Sequence, residues 1–261
     1  MQLILTHEQA DLDALASMHG AKLLVPEAFA LLPRQINRNG REFIERYGDE
    51  LGFSTIQDLP NRNIEQVHLV DTQSMVTLRG LTNQTKVSVI DHHPRKVQTN
   101  ADWQMQLENT GACTTLLVEK IQAEGLELES LSATLLLMGI YEDTGSLSYS
   151  NTKSRDAKAV AFLLERGADL NIVSHYLNPP LSNLQQQLYD RLLKNLSTHS
   201  IEGFTILLAH AEAFDLNDEI SSVAHKLREF LDPDGLVLIV TTRQGVRMVA
   251  RSTVDNLDQP A

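Results

Sequence analysis

The chain has 261 residues, 42% hydrophobic and 21% charged, enough to bury one large core or two modest ones without covalent staples. Its single cysteine, Cys113, excludes an internal disulfide. A net charge of −12, from 34 acidic and 22 basic residues, argues against the basic face that binds extended duplex DNA. The same excess of carboxylates suits hard cations, and it also suits plain solubility.

The first residues, Met1-Gln2-Leu3-Ile4-Leu5, carry no basic region and no small-residue cleavage pattern. They read as a buried strand over 3–5 rather than a signal peptide, so a cytoplasmic location is expected. A helical pattern follows through Leu12, Leu15, Ala16, His19 and Leu23. Residues 67–70 and 87–90 are short β-branched runs that predict two more strands. Helical periodicity returns at 113–124, 131–142, 156–166 and 170–176. Apolar runs such as 135–138 are far shorter than the ~20 residues a membrane span needs. Short apolar strands separated by helices predict an α/β fold, a parallel sheet with helices on both faces.

Asn178-Pro179-Pro180-Leu181-Ser182 is the strongest boundary signal. Paired prolines break a helix, and Ser182 is placed to cap the next one. This divides the chain into 1–180 and 181–261. The second part predicts a helix through Leu184, Leu188, Leu192, Leu193 and Leu196, then a strand at 204–209, a helix at 217–231, and strands at 236–241 and 246–250. Gln244-Gly245 supplies a hairpin turn between the last two.

Four places put carboxylates or imidazoles at the ends of apolar segments. They are His7-Glu8-Gln9-Ala10-Asp11-Leu12-Asp13, then Asp71, then Asp91-His92-His93, and Asp143 in Glu142-Asp143-Thr144-Gly145. Each has an ordinary structural reading when taken singly. Asp11 caps a helix, Asp71 starts a turn, the paired histidines sit on the surface, and Asp143 belongs to a helix stop. Three of the four follow predicted strands, and open parallel sheets bind ligands at that edge. Asp11, Asp13, Asp71, Asp91 and Asp143 cannot converge in one cleft unless cations join them. With His7, His92 and His93 alongside, the donor mixture suits two Mn²⁺ ions, with Mg²⁺ or Co²⁺ as alternatives. His19, His68, His175, His199, His210 and His225 lack such a setting and read as ordinary core or surface residues. Trp103 reads as a half-buried strand residue rather than a stacking platform.

The ordered set His-x-x-x-Asp-x-Asp, a lone strand-end Asp, Asp-His-His and Asp-Thr-Gly resembles the DHH phosphoesterase superfamily over about residues 1–180. That superfamily includes RecJ-type exonucleases, oligoribonucleases, cyclic-dinucleotide phosphodiesterases, family II pyrophosphatases and exopolyphosphatases. The resemblance implies that His7, Asp11 and Asp71 hold one metal. Asp13, Asp71, His92 and Asp143 hold the other, with Asp71 shared. It places His93 toward the phosphate and Asp91 behind a ligand. The second part resembles a DHHA1 substrate domain, with Arg251-Ser252 matching its substrate-facing pair. The Gly-Gly-Gly-His segment that normally follows is missing, so this domain reads as truncated or degenerate. The first motif is similar to a bacterial branch whose chains continue into CBS and tRNA nucleotidyltransferase domains.

These features predict a two-metal phosphohydrolase acting on short oligonucleotides or nucleotide phosphates. His93, Asp91 and Arg251 would serve catalysis, and His93, Arg251 and Ser252 would contact substrate. A pyrophosphatase or exopolyphosphatase is the enzymatic alternative. A non-catalytic regulatory module of a longer tRNA-processing protein is the other.

Overall fold

The computed structural model describes residues 1–95, 102–178, 180–216 and 220–252. The chain divides into two units, Met1–Pro179 and Pro180–Ala261.

The first unit runs β1 (Gln2–Leu5), β2 (Gln9–Ala10), α1 (Leu12–Leu24), β3 (Phe29–Leu31), β4 (Gln35–Ile36), α2 (Arg38–Tyr47), β5 (Phe53–Ser54), β6 (Gln66–Val70), β7 (Lys86–Asp91) and β8 (Gln104–Leu107). Four helices follow: α3 (Cys113–Ala123), α4 (Ser130–Thr144), α5 (Ser154–Glu165) and α6 (Leu170–Leu177). Six strands form one sheet in the order β5-β3-β1-β6-β7-β8, and every neighbouring pair is parallel. β2 and β4 make a separate small pair.

Leu3, Ile4 and Leu5 are almost wholly buried, as a central strand of a parallel sheet requires. Ile4, Ala30 and Val70 pack on one face against Met18 of α1 and Leu116 and Leu117 of α3. Leu3, Leu5, Val67, Leu69, Val87 and Val89 cluster on the other with Ile64, Leu59, Met75, Leu78 and Leu81 from the segments between strands. Trp103 joins this second cluster, half-buried beside β8. A second layer packs α4 against α1, α5 and α6. α1 is buried along most of its length, which explains why its hydrophobic residues lack a one-sided stripe.

His19 belongs to that buried stretch. Its Nδ1–H donates to the Leu51 carbonyl at 3.0 Å, and its Nε2 accepts from the Ser132 hydroxyl at 2.9 Å. The ring is therefore a neutral tautomer with both nitrogens satisfied, and burial lowers its pKa to about 4. An unfolded chain takes up this proton near the usual 6.5. The stability held by this group is complete above that pH and is lost as pH falls toward about 4, an increment of about 3 kcal/mol. Denaturant unfolding followed down this range should show the wild-type chain losing that increment relative to His19→Gln. Parallel pH profiles would contradict it.

The second unit contains α7 (Asn183–Lys194), β9 (Leu196–Ile201), β10 (Phe204–Glu212), α8 (Ile220–Leu231), β11 (Gly235–Thr242) and β12 (Gly245–Ser252). Its sheet order is β12-β11-β10-β9. β10 and β11 are parallel, and the outer pairs are antiparallel. Leu188 and Leu192 of α7 and Val223 and Leu227 of α8 close over Leu207, Ala209, Leu236, Leu238 and Val240. Ser182 caps α7, its hydroxyl accepting from the Gln185 N–H. Arg243 and Gln244 connect β11 to β12, and Gly245 takes a φ of 126° that favours glycine. The sequence pattern carried Leu196 into the preceding helix. The structure ends α7 at Lys194 and starts β9 at Leu196. The expected helix at 217–231 is seen as α8, and residues 217–219 lie outside the described ones. Among the described residues no helix is long and apolar enough to cross a membrane.

Candidate metal centre

The C-terminal ends of β1, β6 and β7 deliver His7, Asp71 and the Asp91-His92-His93 run to one sheet edge. The start of α1 adds Asp11 and Asp13, and the last turn of α4 adds Asp143. A cleft of about 360 Å³ is lined by His7, Asp11, Asp71, Thr72, Asp91, His93 and Asp143.

Asp11 caps α1, with one carboxylate oxygen accepting from the Ala14 N–H at 3.0 Å. It also lies with His7 and Asp71 in a group whose ligand atoms are all within 4.8 Å of one another. Capping and cation binding are thus compatible, because a carboxylate has two oxygens. Asp13 is fully buried one residue into α1. Its oxygens accept from the N–H groups of Cys113 (2.8 Å) and Thr114 (2.9 Å) at the start of α3. α3 has no cap from its own Ala112, so Asp13 supplies the negative charge that a helix N-terminus favours. Asp13, His92 and Asp143 form a second group of the same spacing.

Asp71 ends β6 in the left-handed conformation, with φ 54°. Asp tolerates this region better than most residues, and such positions recur at functional sites. Its N–H still bonds the Ile90 carbonyl at 3.0 Å, so the departure from the strand is local. Its carboxylate faces His7 Nε2 (3.4 Å) on one side and His92 Nε2 (3.6 Å) on the other. His92 Nε2 also lies 3.4 Å from Asp143. The other nitrogen of His92, Nδ1, donates to the Thr110 carbonyl at 3.2 Å. That bond orients the ring and turns Nε2 toward the two carboxylates.

Asp71 Oδ1 and His92 Nε2 are buried and have no hydrogen-bond partner among the described residues. Buried polar atoms without partners are costly. Divalent cations fit this donor set and would make each of these atoms a ligand. The protonation pattern says the same. Burial first, then Asp13 and Asp11, raises Asp71 well above the carboxylate range. Burial also raises Asp13 and lifts Asp143 to about 9, the neighbouring carboxylates adding to the latter. Without a cation Asp143 holds a proton at neutral pH, which metal binding would expel.

Asp91 and His93 form a different arrangement. His93 Nδ1–H donates to Asp91 Oδ1 at 2.8 Å, while half of the His93 ring stays exposed. Gln73 donates to the other oxygen of Asp91 at 2.8 Å and to the Pro94 carbonyl at 3.1 Å. Burial pushes the Asp91 carboxyl up, but the bonds from His93 and Gln73 outweigh it and hold the group below its usual range. The Asp91 bond in turn raises the His93 pKa, so the ring favours its cationic form. Asp91 is also within the group formed by Asp71, His92 and His93, but its hydrogen bonds orient His93 rather than His92.

Arg251 and Ser252 lie in the second unit at the end of β12. Arg251 is exposed, and the Ser252 hydroxyl donates to the Asp234 carbonyl at 3.2 Å.

Several supporting residues gave no motif signal. Glu142 accepts from the Leu12 N–H and, at 3.2 Å, from the Asn37 side chain, tying the end of α4 to the start of α1. Burial raises it to about 7. Asp156 is fully buried and accepts from Gly111 N–H (2.9 Å), Lys153 N–H (2.6 Å) and the Thr115 hydroxyl (2.6 Å). It thereby steadies the segment whose Thr110 carbonyl holds His92. Gly139 lets α4 approach α1. A Cβ there would lie 2.6 Å from Ala16 Cβ and 3.2 Å from Asp13 Cα. Gly139→Ala should lower stability by about 1–3 kcal/mol and weaken Mn²⁺ binding, because it displaces Asp13. Thermal melts and metal titrations check this, and an unchanged melting temperature would contradict it.

Residues 2–140 match the DHH family, N-terminal domain. The chain belongs to the DHH family. Its DHH region contains His7, Asp11, Asp13, Asp71, Asp91, His92 and His93 within the matched span, with Asp143 just beyond. The whole chain is similar to an A-adding tRNA nucleotidyltransferase of Geobacter sulfurreducens, 33% identical across 100% of this chain and 30% of that protein. It is 26% identical to the cyclic-di-AMP phosphodiesterase GdpP of Geobacillus thermodenitrificans, across 97% of this chain and 41% of that protein. The chain therefore spans less than half the length of either relative. Among solved structures, an exopolyphosphatase-related protein from Bacteroides fragilis superposes with a TM-score of 0.69 at 14% identity, covering 97% of this chain and 79% of that one. That likeness is one of fold. The DHH family includes phosphoesterases among this chain's relatives, which supports hydrolase chemistry in general terms.

Proposed function

We propose that this chain is a two-metal phosphoesterase, Mn²⁺-dependent, that hydrolyses short oligonucleotides or nucleotide phosphates. The observation that carries the reading is the pair of buried, unpartnered donors Asp71 Oδ1 and His92 Nε2, ringed by His7, Asp13 and Asp143. His7, Asp11 and Asp71 would hold one ion, and Asp13, Asp71, His92 and Asp143 the other. When bound, such a pair of ions acidifies water and draws charge from the phosphoryl oxygens.

The chain's own groups supply the rest. His93, oriented by Asp91 and with its pKa raised by that bond, would offer Nε2–H to a phosphoryl oxygen on which charge develops. Thr110 and Asp13 hold their partners before substrate arrives, so little reorganisation is needed. Arg251 and Ser252, from the second unit, are proposed to contact the substrate phosphate. The cyclic-dinucleotide phosphodiesterase aligns across 97% of this chain and an inorganic pyrophosphatase of Listeria innocua across 60%, and the longer match supports the nucleotide substrate.

Hydrolysis with Mn²⁺ tests this on pAp, a di- to pentanucleotide series, a cyclic dinucleotide, pyrophosphate and polyphosphate. The reading predicts turnover of one or more of the nucleotide substrates above the two inorganic ones. Pyrophosphate or polyphosphate cleaved fastest would overturn the substrate class. One specific observation favours a second reading, a regulatory module of a longer tRNA-processing protein: the chain aligns along its full length with a nucleotidyltransferase more than three times as long. Metal bound without hydrolysis of any substrate would select that reading.

A further inference from the structure

The same sheet edge carries a second cavity, of about 360 Å³, within the first unit. Its walls are the aliphatic side chains of Leu31, Leu32, Ile36, Ile56, Val76 and Leu78. They come from the last residue of β3, from β4 and from the segments that follow β3, β5 and β6, so the pocket opens at the C-terminal ends of the strands, as the metal cleft does. The pocket occupies the β5-β3-β1 part of that edge, and the metal cleft lies over β1-β6-β7. The two meet at the end of β1. Thr6 and Glu8 line the pocket, and His7 between them lines the metal cleft.

Two features mark the pocket as built for a ligand. Thr6 is 3% exposed and lines the pocket, and its buried hydroxyl has no hydrogen-bond partner among the described residues. A buried hydroxyl left unpaired in an apolar cavity awaits a donor or acceptor from outside. Ile56 lines the same space with 62% of its surface exposed, a large apolar group offered to solvent. A mostly aliphatic wall with a few polar groups, here Thr6, Thr55, Thr77, Glu8 and Arg34, at this volume, is the usual form of a small-molecule site.

We infer that this pocket receives the nucleobase of a nucleotide whose phosphate lies in the metal cleft. The occupant must be flat and apolar enough for aliphatic walls, carry a hydrogen-bonding edge for Thr6, and reach past His7 with a phosphate. A nucleobase joined through ribose to a phosphate has all three properties. Pyrophosphate and polyphosphate have neither the apolar face nor the edge. Glu8 at the rim disfavours a second polyanionic group there, whereas Arg34, exposed at the same rim, leaves room for one charge near the sugar. The phosphate end of this inference rests on the phosphoesterase reading, but the base end stands on the pocket alone.

Equilibrium binding of adenosine, AMP and inorganic phosphate to the full chain with Mn²⁺ tests it, using wild type, Ile56→Glu and Thr6→Val. Ile56 is exposed, so its substitution leaves the core untouched, and Thr6→Val keeps the buried shape. AMP should bind more tightly than either adenosine or phosphate. Each variant should weaken adenosine and AMP by about tenfold and leave phosphate unchanged. The inference is overturned if AMP binds no better than phosphate, or if both variants bind adenosine and AMP as wild type does. If adenosine binding depends on Ile56 and Thr6 while phosphate does not bind at all, the pocket stands and the phosphoesterase reading fails.

Discussion

Asp71→Asn should leave the chain folded, empty both metal positions and lower turnover by more than about 10³-fold, since several kcal/mol of charge stabilisation depend on the ions. The substitution is a clean one. Asparagine tolerates the left-handed φ of 54° that Asp71 adopts, and it matches the aspartate in size. It removes the charge that faces His7 on one side and His92 on the other. In the metal-free chain the effect on stability should be neutral or favourable at neutral pH, because burial first, then crowding by Asp13 and Asp11, penalises a charge at Asp71 that asparagine does not carry. His7→Ala should behave differently. It removes a donor only from the His7-Asp11-Asp71 group, so the Asp13-His92-Asp143 group should still load. Elemental analysis after Mn²⁺ reconstitution separates these outcomes. Full occupancy of both positions in Asp71→Asn would refute the shared carboxylate.

His93→Ala should keep its metal and lose turnover by roughly 10²–10³-fold, the loss expected when one charge-stabilising donor is removed. His93 Nδ1 is taken by Asp91, so the exposed side of the ring faces the cleft. A pH profile distinguishes this role from a structural one. The Asp91 bond raises the His93 pKa above 6.5, so activity that needs the cation is full below that raised value and falls as pH climbs through it. Asp91→Asn removes the main cause of the shift and should move the alkaline limb to lower pH. Loss of metal in His93→Ala, or an unmoved limb in Asp91→Asn, would show that the two histidines have been assigned the wrong way round.

The carboxylates and histidines were legible in the sequence because parallel strands end abruptly and their polar residues stand out against β-branched runs. Asp71 after Val67-His68-Leu69-Val70 is an example. What holds them was not legible. Gln73 reaches Asp91 across two strand ends, and Asp156 reaches Gly111 over 45 positions, distances that no local pattern encodes. Asp13 stood out as a candidate ligand, but its full burial and its cap on α3 were not readable from the sequence. Two short strands, β3 and β5, fell below the length at which alternation is readable. β9 was hidden for another reason. Leu196-Ser197-Thr198-His199-Ser200-Ile201 is a polar edge strand, mostly exposed, whose pairing with β10 comes from the backbone. The apolar pocket beside His7 was equally invisible, since its walls come from four separate segments.

Titration of metal-free chain with Mn²⁺, with free ion and hydrolysis of a dinucleotide and pAp followed in the same samples, tests the central claim most directly. The account predicts that two ions bind per chain, with proton release, and that hydrolysis rises only as the second position fills. A single equivalent at saturation would contradict it, as would two bound ions with no cleavage of either substrate.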